Sequence, residues 1–249
     1  HLFEKTDLNQ MNSNCLSSTI EAFRLKKDCT KLEYCKDILL NHRLFMAPRE
    51  TLNDPFEGMA IPISLSICGS GSFGSLGLPH PLVEDRMNQY RILSLSANPK
   101  NPIMWAHYAN NYSGVCFEFE FNNNFENIHK VSYIEHQYDT IYDPTEEEFR
   151  RAIEKSLLCK SKNWSYEEEY RIISKSNESF FHFDQSELTG IIIGNRSLCA
   201  QELVSWATKG NIPIYYTFTS TQNYEINIIN KSPNTLIIGD DTLDNIPHH

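Results

Sequence analysis

Residues 115–121, VCFEFEF, alternate strictly between apolar and polar-tipped side chains. In a strand, Val115, Phe117 and Phe119 would point to one face and the two glutamates to the other. A period of two does not fit a helix, so this segment requires a sheet that has a buried face. The chain is therefore predicted to build its core on a β-sheet.

Residues 145–160, TEEEFRRAIEKSLLCK, instead repeat with the period of a helix. A threonine and a glutamate three residues later form a capping box, and Phe149, Ile153 and Leu157 form an apolar stripe. The same reasoning predicts further strands and a second well-marked helix, namely strands within 91–96, 164–174, 188–195 and 212–220 and a helix within 197–210. The expected fold class is α+β: a mostly antiparallel sheet, whole or split, flanked by helices.

The chain of 249 residues is long enough for one large domain. Residues 1–20 are polar and predicted to be an N-terminal arm, and residues 21–249 are predicted to be a single catalytic or ligand-binding domain. The formal net charge of −10 argues against a protein that mainly grips nucleic-acid phosphates. Scattered cysteines, seven in number, and the lack of a long apolar run predict a cytoplasmic protein that contacts no membrane.

The segment WSYEEEYRI, residues 164–172, carries the first candidate site. In a strand, Glu167, Glu169 and Arg171 would share one face, with the two carboxylates roughly 6–7 Å apart. Repulsion between carboxylates, relieved by an arginine, separates their pKa values and suits proton transfer or stabilisation of a cation. The alternative is a solvated sheet edge that carries an ordinary ion pair.

The loop LNDPFEG, residues 52–58, is the second candidate. Asn53 and Asp54 can bind nearby backbone amides, and the following proline stiffens the turn. Glu57 would then project from a rigid loop. A purely structural turn explains the same residues equally well.

The stretch SLSANPKNPIMWAHYANNYSG, residues 94–114, gathers side chains that suit either a core or a pocket wall: Ser94, Ser96, Trp105, His107 and Tyr108. A helix is predicted to begin at Pro102 and to have Gly114 at its C′ position. A single histidine on an aromatic helix is more often structural than a base, and no second ligand at helical spacing favours a metal site.

Three motifs taken in order, NDPFE at 53–57, MWAHYA…SG at 104–114 and W-x-Y-E-x-E-Y-R at 164–171, closely resemble a bacterial family of uncharacterised proteins, domain-of-unknown-function family 2971. The resemblance extends over about residues 20–220. No settled activity comes with this family.

A more distant resemblance is to ADP-ribosyltransferases, whose triad runs arginine, serine and glutamate in chain order. It implies that Arg24 holds the phosphates of NAD, that Ser94 or Ser96 braces the pocket, and that Glu169 stabilises the cation formed as nicotinamide leaves. The resemblance also implies a supporting role for Glu167 beside Glu169, and a cleft lined by Trp105, His107 and Tyr108. Arg171 is a candidate catalytic residue because it would relieve the repulsion between the two glutamates.

The predicted function is therefore an enzyme of NAD-dependent glycosyl transfer, an ADP-ribosyltransferase or NAD glycohydrolase of the kind found among bacterial toxins, effectors and phage-defence proteins. NAD is the expected substrate, no metal is expected, and the protein or nucleic-acid target is left open. One alternative is a hydrolase or nuclease that uses Asp54, Glu57, Glu167 and Glu169 with Mg²⁺ or Mn²⁺. The other is a non-catalytic module that senses a nucleotide or peptide.

Overall fold

The computed structural model describes residues 17–20, 32–65, 81–121, 127–175, 178–220, 224 and 226–230. Within them the helices are α1 Leu32–Asn41, α2 Pro81–Met87, α3 Pro102–Tyr108, α4 Glu146–Leu157 and α5 Ala200–Lys209. The strands are β1 Ser17–Ile20, β2 Arg43–Phe45, β3 Ala47–Pro48, β4 Ile63–Ser64, β5 Arg91–Ser96, β6 Val115–Glu120, β7 Ile128–Lys130, β8 Ser132–Ile134, β9 Ile141–Tyr142, β10 Cys159–Ser161, β11 Glu169–Ser174, β12 Phe180–His182, β13 Leu188–Ile193, β14 Ile214–Thr219 and β15 Ile226–Asn230.

The main sheet has nine strands among the described residues. Eight of them follow the order β15-β14-β13-β6-β1-β5-β11-β7, and β3 pairs with β5 beside that path. The pair β13–β14 is parallel and the other pairs are antiparallel. In the same described residues, three small two-stranded sheets accompany it, β10–β8, β12–β2 and β4–β9. The predicted α+β class with a mostly antiparallel sheet is confirmed.

The alternating strand β6 lies in the middle of this sheet, as its pattern predicts. Val115, Phe117 and Phe119 belong to the largest apolar core, together with buried residues of α1 and α5. Cys116 on the opposite face packs against Trp105 of α3. Both faces of the sheet are therefore covered near β6, and α3 is held against the second face.

Helix α4 forms as predicted from its capping box. The Thr145 hydroxyl accepts a hydrogen bond from the Glu148 amide, and the Glu148 carboxylate accepts one from the Thr145 amide. Phe149, Ile153 and Leu157 pack with α2 and with Ile92 of β5 in a second apolar cluster. This packing fixes the end of α4, from which the chain runs directly into β10.

The predicted end of α3 is wrong. The helix ends at Tyr108 with Ala109 as its C-cap, well before Gly114. Asn110, Asn111 and Tyr112 then have positive φ angles and form turns instead of further helix. Asparagine tolerates the left-handed region better than most residues, which explains why the helix gives way here.

Two further boundaries differ from the prediction. Ser17–Ile20, assigned from the sequence to the polar arm, are strand β1 and pair with both β5 and β6. Lys162–Glu167 form a 3₁₀ turn instead of the start of a strand, and Glu168 follows with a φ of 45°. Strand β11 therefore begins only at Glu169, and it lies between β5 and β7 instead of at a solvated edge. In the described part of the chain, no helix has the length and apolarity needed to cross a membrane.

Candidate functional site

Strands β5 and β11 bring the two strongest sequence motifs side by side. Their antiparallel register places Glu169 opposite Ser96 and Arg171 opposite Ser94. The Ser-x-Ser and E-x-E-x-R segments, about seventy residues apart in the chain, are thus neighbours in space. Residues opposite each other on antiparallel strands have side chains on the same face, so these four face one region.

Arg171 is the centre of the polar cluster. Its side chain is fully buried, and its guanidinium binds carboxylates on two sides. Nε and Nη2 donate to the two oxygens of Glu169 at 2.7 and 3.1 Å, and Nη1 and Nη2 donate to Glu57 at 2.5 and 2.9 Å. Nη1 also donates to the Leu157 carbonyl at 2.5 Å. These bonds fix the orientation of both carboxylates.

Lys160 joins the two glutamates of the E-x-E motif. Its ammonium lies 2.5 Å from Glu167 Oε2 and 3.2 Å from Glu169 Oε2, and all three side chains are about 4% exposed. The expected strand alternation of Glu167 and Glu169 is wrong, because Glu167 closes the 3₁₀ turn. The two carboxylates nevertheless converge, since one buried lysine binds both.

Tyr108, at the end of α3, extends the cluster toward the 52–58 loop. Its hydroxyl donates to Glu167 and accepts from the Asn53 amide. Burial and the charge of Glu167 raise the pKa of the Tyr108 hydroxyl, so this group stays protonated as a donor. Ser96 supports the same region from β5, because its hydroxyl donates to the Glu167 carbonyl at 2.7 Å.

The NDPFE loop has a clear physical role. Glu57 is 3% exposed and is the second counter-ion of Arg171, so the loop is tied to β11 through a buried ion pair. Asp54 is also buried. One of its oxygens accepts from the Phe56 amide, and the other has no hydrogen-bond partner among the described residues. Asp54 thus shapes the turn, as the structural reading of this loop predicts.

Three carboxylates, Glu57, Glu167 and Glu169, share the two cations Lys160 and Arg171. Burial opposes ionisation of Glu169, but the charges of Arg171 and Lys160 outweigh burial and hold its pKa below its usual range. For Glu57, burial prevails over Arg171 and raises the pKa. Burial alone would lower the pKa of Lys160, yet Glu169 and Glu167 raise it, so the lysine is a cation and not a nucleophile.

A pocket of about 390 Å³ opens onto this cluster. The polar residues that line it are Thr51, Asn53, Ser94, Ser96, Tyr108, Lys160, Glu167, Glu169 and Arg171. Its apolar lining consists of Tyr34, Phe45, Ala47, Leu52, Ile92, Leu93, Leu95 and Met104. An apolar cavity with a few convergent polar groups is typical of a small-molecule site.

The remaining predicted site residues lie elsewhere. Trp105 is 2% exposed and packs in the apolar cluster between α3 and the main sheet. Its indole N–H donates to the Pro99 carbonyl, and its side chain does not line this pocket. His107 is exposed and contacts Tyr108 and Tyr166, with its Nδ1 3.3 Å from the Tyr166 hydroxyl. Arg24 lies outside the described residues, so its predicted role stays a prediction.

Cations occupy the centre of the carboxylate cluster. Among the described residues, no group of three or more histidine, cysteine, aspartate or glutamate side chains is arranged to hold a metal ion. Arg171 binds both Glu57 and Glu169, and Lys160 binds both Glu167 and Glu169. Both oxygens of Glu57 and of Glu169, and one oxygen of Glu167, are thus already engaged by protein cations.

Part of the site lies in a segment of the chain that matches a known protein family. Residues 104–172 match the model of a family described as a protein of unknown function (DUF2971). The match begins in α3 and ends in β11, so it includes Tyr108, Lys160, Glu169 and Arg171. It supports the resemblance to that family over these residues, which are less than half of the chain. No curated protein and no solved structure matches the chain.

Several residues of the site have no clear signal in the sequence. Lys160 follows an amphipathic helix and resembles any surface lysine there. Tyr133, on β8, accepts a hydrogen bond from the Glu169 amide at 2.8 Å, and nothing in its sequence context predicts this. Tyr34 and Phe45 come from α1 and β2, and only the tertiary fold brings them to the pocket.

Proposed function

We propose that this pocket binds NAD and cleaves the bond between nicotinamide and ribose, as an NAD glycohydrolase or an ADP-ribosyltransferase does. The observation that carries the proposal is the β5–β11 register. It sets the Ser-x-Ser segment directly against Glu169 and Arg171 at the wall of a pocket large enough for part of a dinucleotide.

The electrostatics of the pocket suit this reaction. When the glycosidic bond breaks, its electron pair leaves with nicotinamide, and positive charge develops on the ribose C1 and ring oxygen. An ionised carboxylate fixed nearby lowers the energy of that charge. Glu169 is held ionised by Arg171 and Lys160.

The protein groups around the carboxylates have supporting roles. Lys160 and Arg171 orient Glu167 and Glu169, and Tyr108 holds the far oxygen of Glu167. Water completes the reaction in a glycohydrolase by adding its oxygen to C1 and releasing one proton to the solvent. In a transferase, a nucleophilic group of the target takes the place of that water. The nature of the target is left open.

The test is release of nicotinamide from NAD by the purified full chain, with water alone and with bacterial lysate as acceptor. The wild type should release nicotinamide, and Glu169→Gln should lower the rate by about 100-fold or more, since the fixed charge is lost. Glu168→Gln is the matched control, because Glu168 is exposed and binds Asn98 outside the pocket.

The proposal is wrong if the wild type releases no nicotinamide in either mixture, or if Glu169→Gln and the wild type are equally active. Circular dichroism of each variant shows that a lost rate is not lost folding. The metal-dependent hydrolase is less well supported, because Glu57, Glu167 and Glu169 are bound to Arg171 and Lys160. A sensing module would bind the nucleotide and return it unchanged.

A further inference from the structure

Two aromatic side chains line the pocket on the side of α1 and β2. Tyr34 and Phe45 both line it, yet each is 42% exposed. The carboxylates in the same lining are only about 4% exposed. We call the buried charged part of the lining the buried end and the exposed aromatic part the open end. We refer to Tyr34 and Phe45 as the aromatic mouth.

The aromatic mouth is held in place by its neighbours. The Tyr34 and Phe45 ring centroids are 6.5 Å apart with a tilt of 49°, so the two rings do not cover each other face to face. Phe45 is also in edge contact with Phe180 at 5.9 Å, and the Arg43 guanidinium lies 4.1 Å from the centre of the Phe180 ring. Arg43 is anchored to Asp37.

Fixed rings at an open pocket edge are suited to stacking. Contact between these apolar ring faces and water is unfavourable in the free protein. A flat ligand ring that covers them removes this contact and so gains binding free energy. Stacking of a base on an aromatic side chain is worth about 1–3 kcal/mol. Aromatic π-faces accept any planar heterocycle, so the aromatic mouth by itself favours planar ligand rings of any kind.

The contrast in burial indicates which ring of a dinucleotide lies here. The bond that breaks has to be beside Glu169, which is 3% exposed, so the nicotinamide attached to that carbon belongs at the buried end. The ring at the open end is then the other one. We infer that the aromatic mouth is a stacking subsite for the adenine ring of an ADP-ribose-containing ligand; this identification rests on the proposed function.

The experiment is equilibrium binding by isothermal titration with probes that have no nicotinamide bond to break: ADP-ribose, AMP and the ring-free ribose 5-phosphate. Phe45→Leu and Tyr34→Leu keep apolar bulk and remove the ring. Both should weaken ADP-ribose and AMP binding by about five- to a hundred-fold. Phe45→Tyr and Tyr34→Phe keep the ring and should bind as the wild type does, and the affinity for ribose 5-phosphate should be equal in all five proteins.

The inference is overturned if the wild type binds neither ADP-ribose nor AMP, or if the leucine variants bind them as tightly as the wild type. Thermal unfolding of each variant checks that the fold is retained. The two proposals fail separately. Phe45-dependent binding of ADP-ribose without any cleavage of NAD would leave the subsite standing and refute the enzyme. Cleavage of NAD by the wild type, together with unaltered ADP-ribose binding by the leucine variants, would support the enzyme and refute the adenine subsite.

Discussion

Arg171 shows at the level of one residue how this site is organised. Its guanidinium is fully buried and spans Glu57 and Glu169, which are 112 residues apart in sequence, with a fixed set of planar donors. Lysine carries the same charge but cannot reproduce this two-sided geometry. A buried charge that loses a partner costs several kcal/mol, so the cluster is held together as a unit.

Lys160 provides the residue-scale prediction. In Lys160→Met, three buried carboxylates would share a single cation. We expect the free energy of unfolding at pH 7 to fall by about 3–5 kcal/mol, because uncompensated charge is left in the protein interior. Urea unfolding monitored by circular dichroism measures this change in the free energy of unfolding. Lys162→Met is the control, since Lys162 pairs with Glu135 at an exposed site and should change stability little.

The difference between wild type and Lys160→Met should depend on pH in a definite direction. The raised pKa of Lys160 means that its contribution persists at every pH below its ordinary value of 10.5. The lowered pKa of Glu169 means that its contribution is present above about pH 4.5 and is lost as pH falls through the folded pKa. The difference should therefore be largest at neutral pH and shrink under acid. A difference that is the same at pH 4 and pH 8 would contradict the ion-pair account.

Part of the site could be predicted at this scale. The face shared by Glu169 and Arg171 follows from strand periodicity, and the structure confirms that they contact each other. The partnership of Arg171 with Glu57 could not be predicted, because it depends on how a distant loop packs. Lys160 could not be predicted either, since its burial is a property of the folded core around β10 and not of its neighbours in sequence.

Among the secondary-structure elements, the well-patterned ones form as predicted and the short irregular ones do not. Helix α4 and strand β6 have strong local signals, a capping box and a strict alternation, and tertiary packing reinforces both. The segment 162–167 has a mixed polar and aromatic pattern that fits a strand or a turn. Packing of Glu167 against Lys160 and Tyr108 favours the 3₁₀ turn, so local periodicity fails there.

The junction between α3 and β13 provides the element-scale prediction. A Cβ added to Gly194 would lie 2.1 Å from the Tyr112 carbonyl oxygen, a backbone atom that cannot easily move. Gly194→Ala should therefore destabilise the protein by about 2–4 kcal/mol through displacement of the turn after α3. At Gly210 the nearest atom to such a Cβ is the end of the Ile212 side chain, at 3.1 Å.

Gly210→Ala is thus the matched control, with an expected loss of at most about 1 kcal/mol. Denaturant unfolding of both variants tests the pair. Equal stabilities would show that the turn of Asn110, Asn111 and Tyr112 is not locked against β13. Because Tyr108 lies directly before this turn, Gly194→Ala should also loosen the hydroxyl that binds Glu167.

For the whole molecule, the central point is that the main sheet supplies the two strands on which the site is built. Strand β5 supplies the serines, its neighbour β11 supplies Glu169 and Arg171, and α3 behind β6 positions Tyr108. The sequence predicts the antiparallel sheet and the order of the motifs. The charged cluster itself could not be predicted, because it closes through contacts among β10, β11 and the 52–58 loop, which only the tertiary fold brings together.

The most direct test of the central claim is the chemical fate of NAD after incubation with the protein. Mass spectrometry of the mixture should find nicotinamide and ADP-ribose, free or attached to an acceptor, in equal amounts with the wild type. The Glu169→Gln mixture should contain nearly all of the NAD intact. Recovery of intact NAD from the wild type, even if it had bound, would contradict the account and identify the pocket as a binding site without this activity.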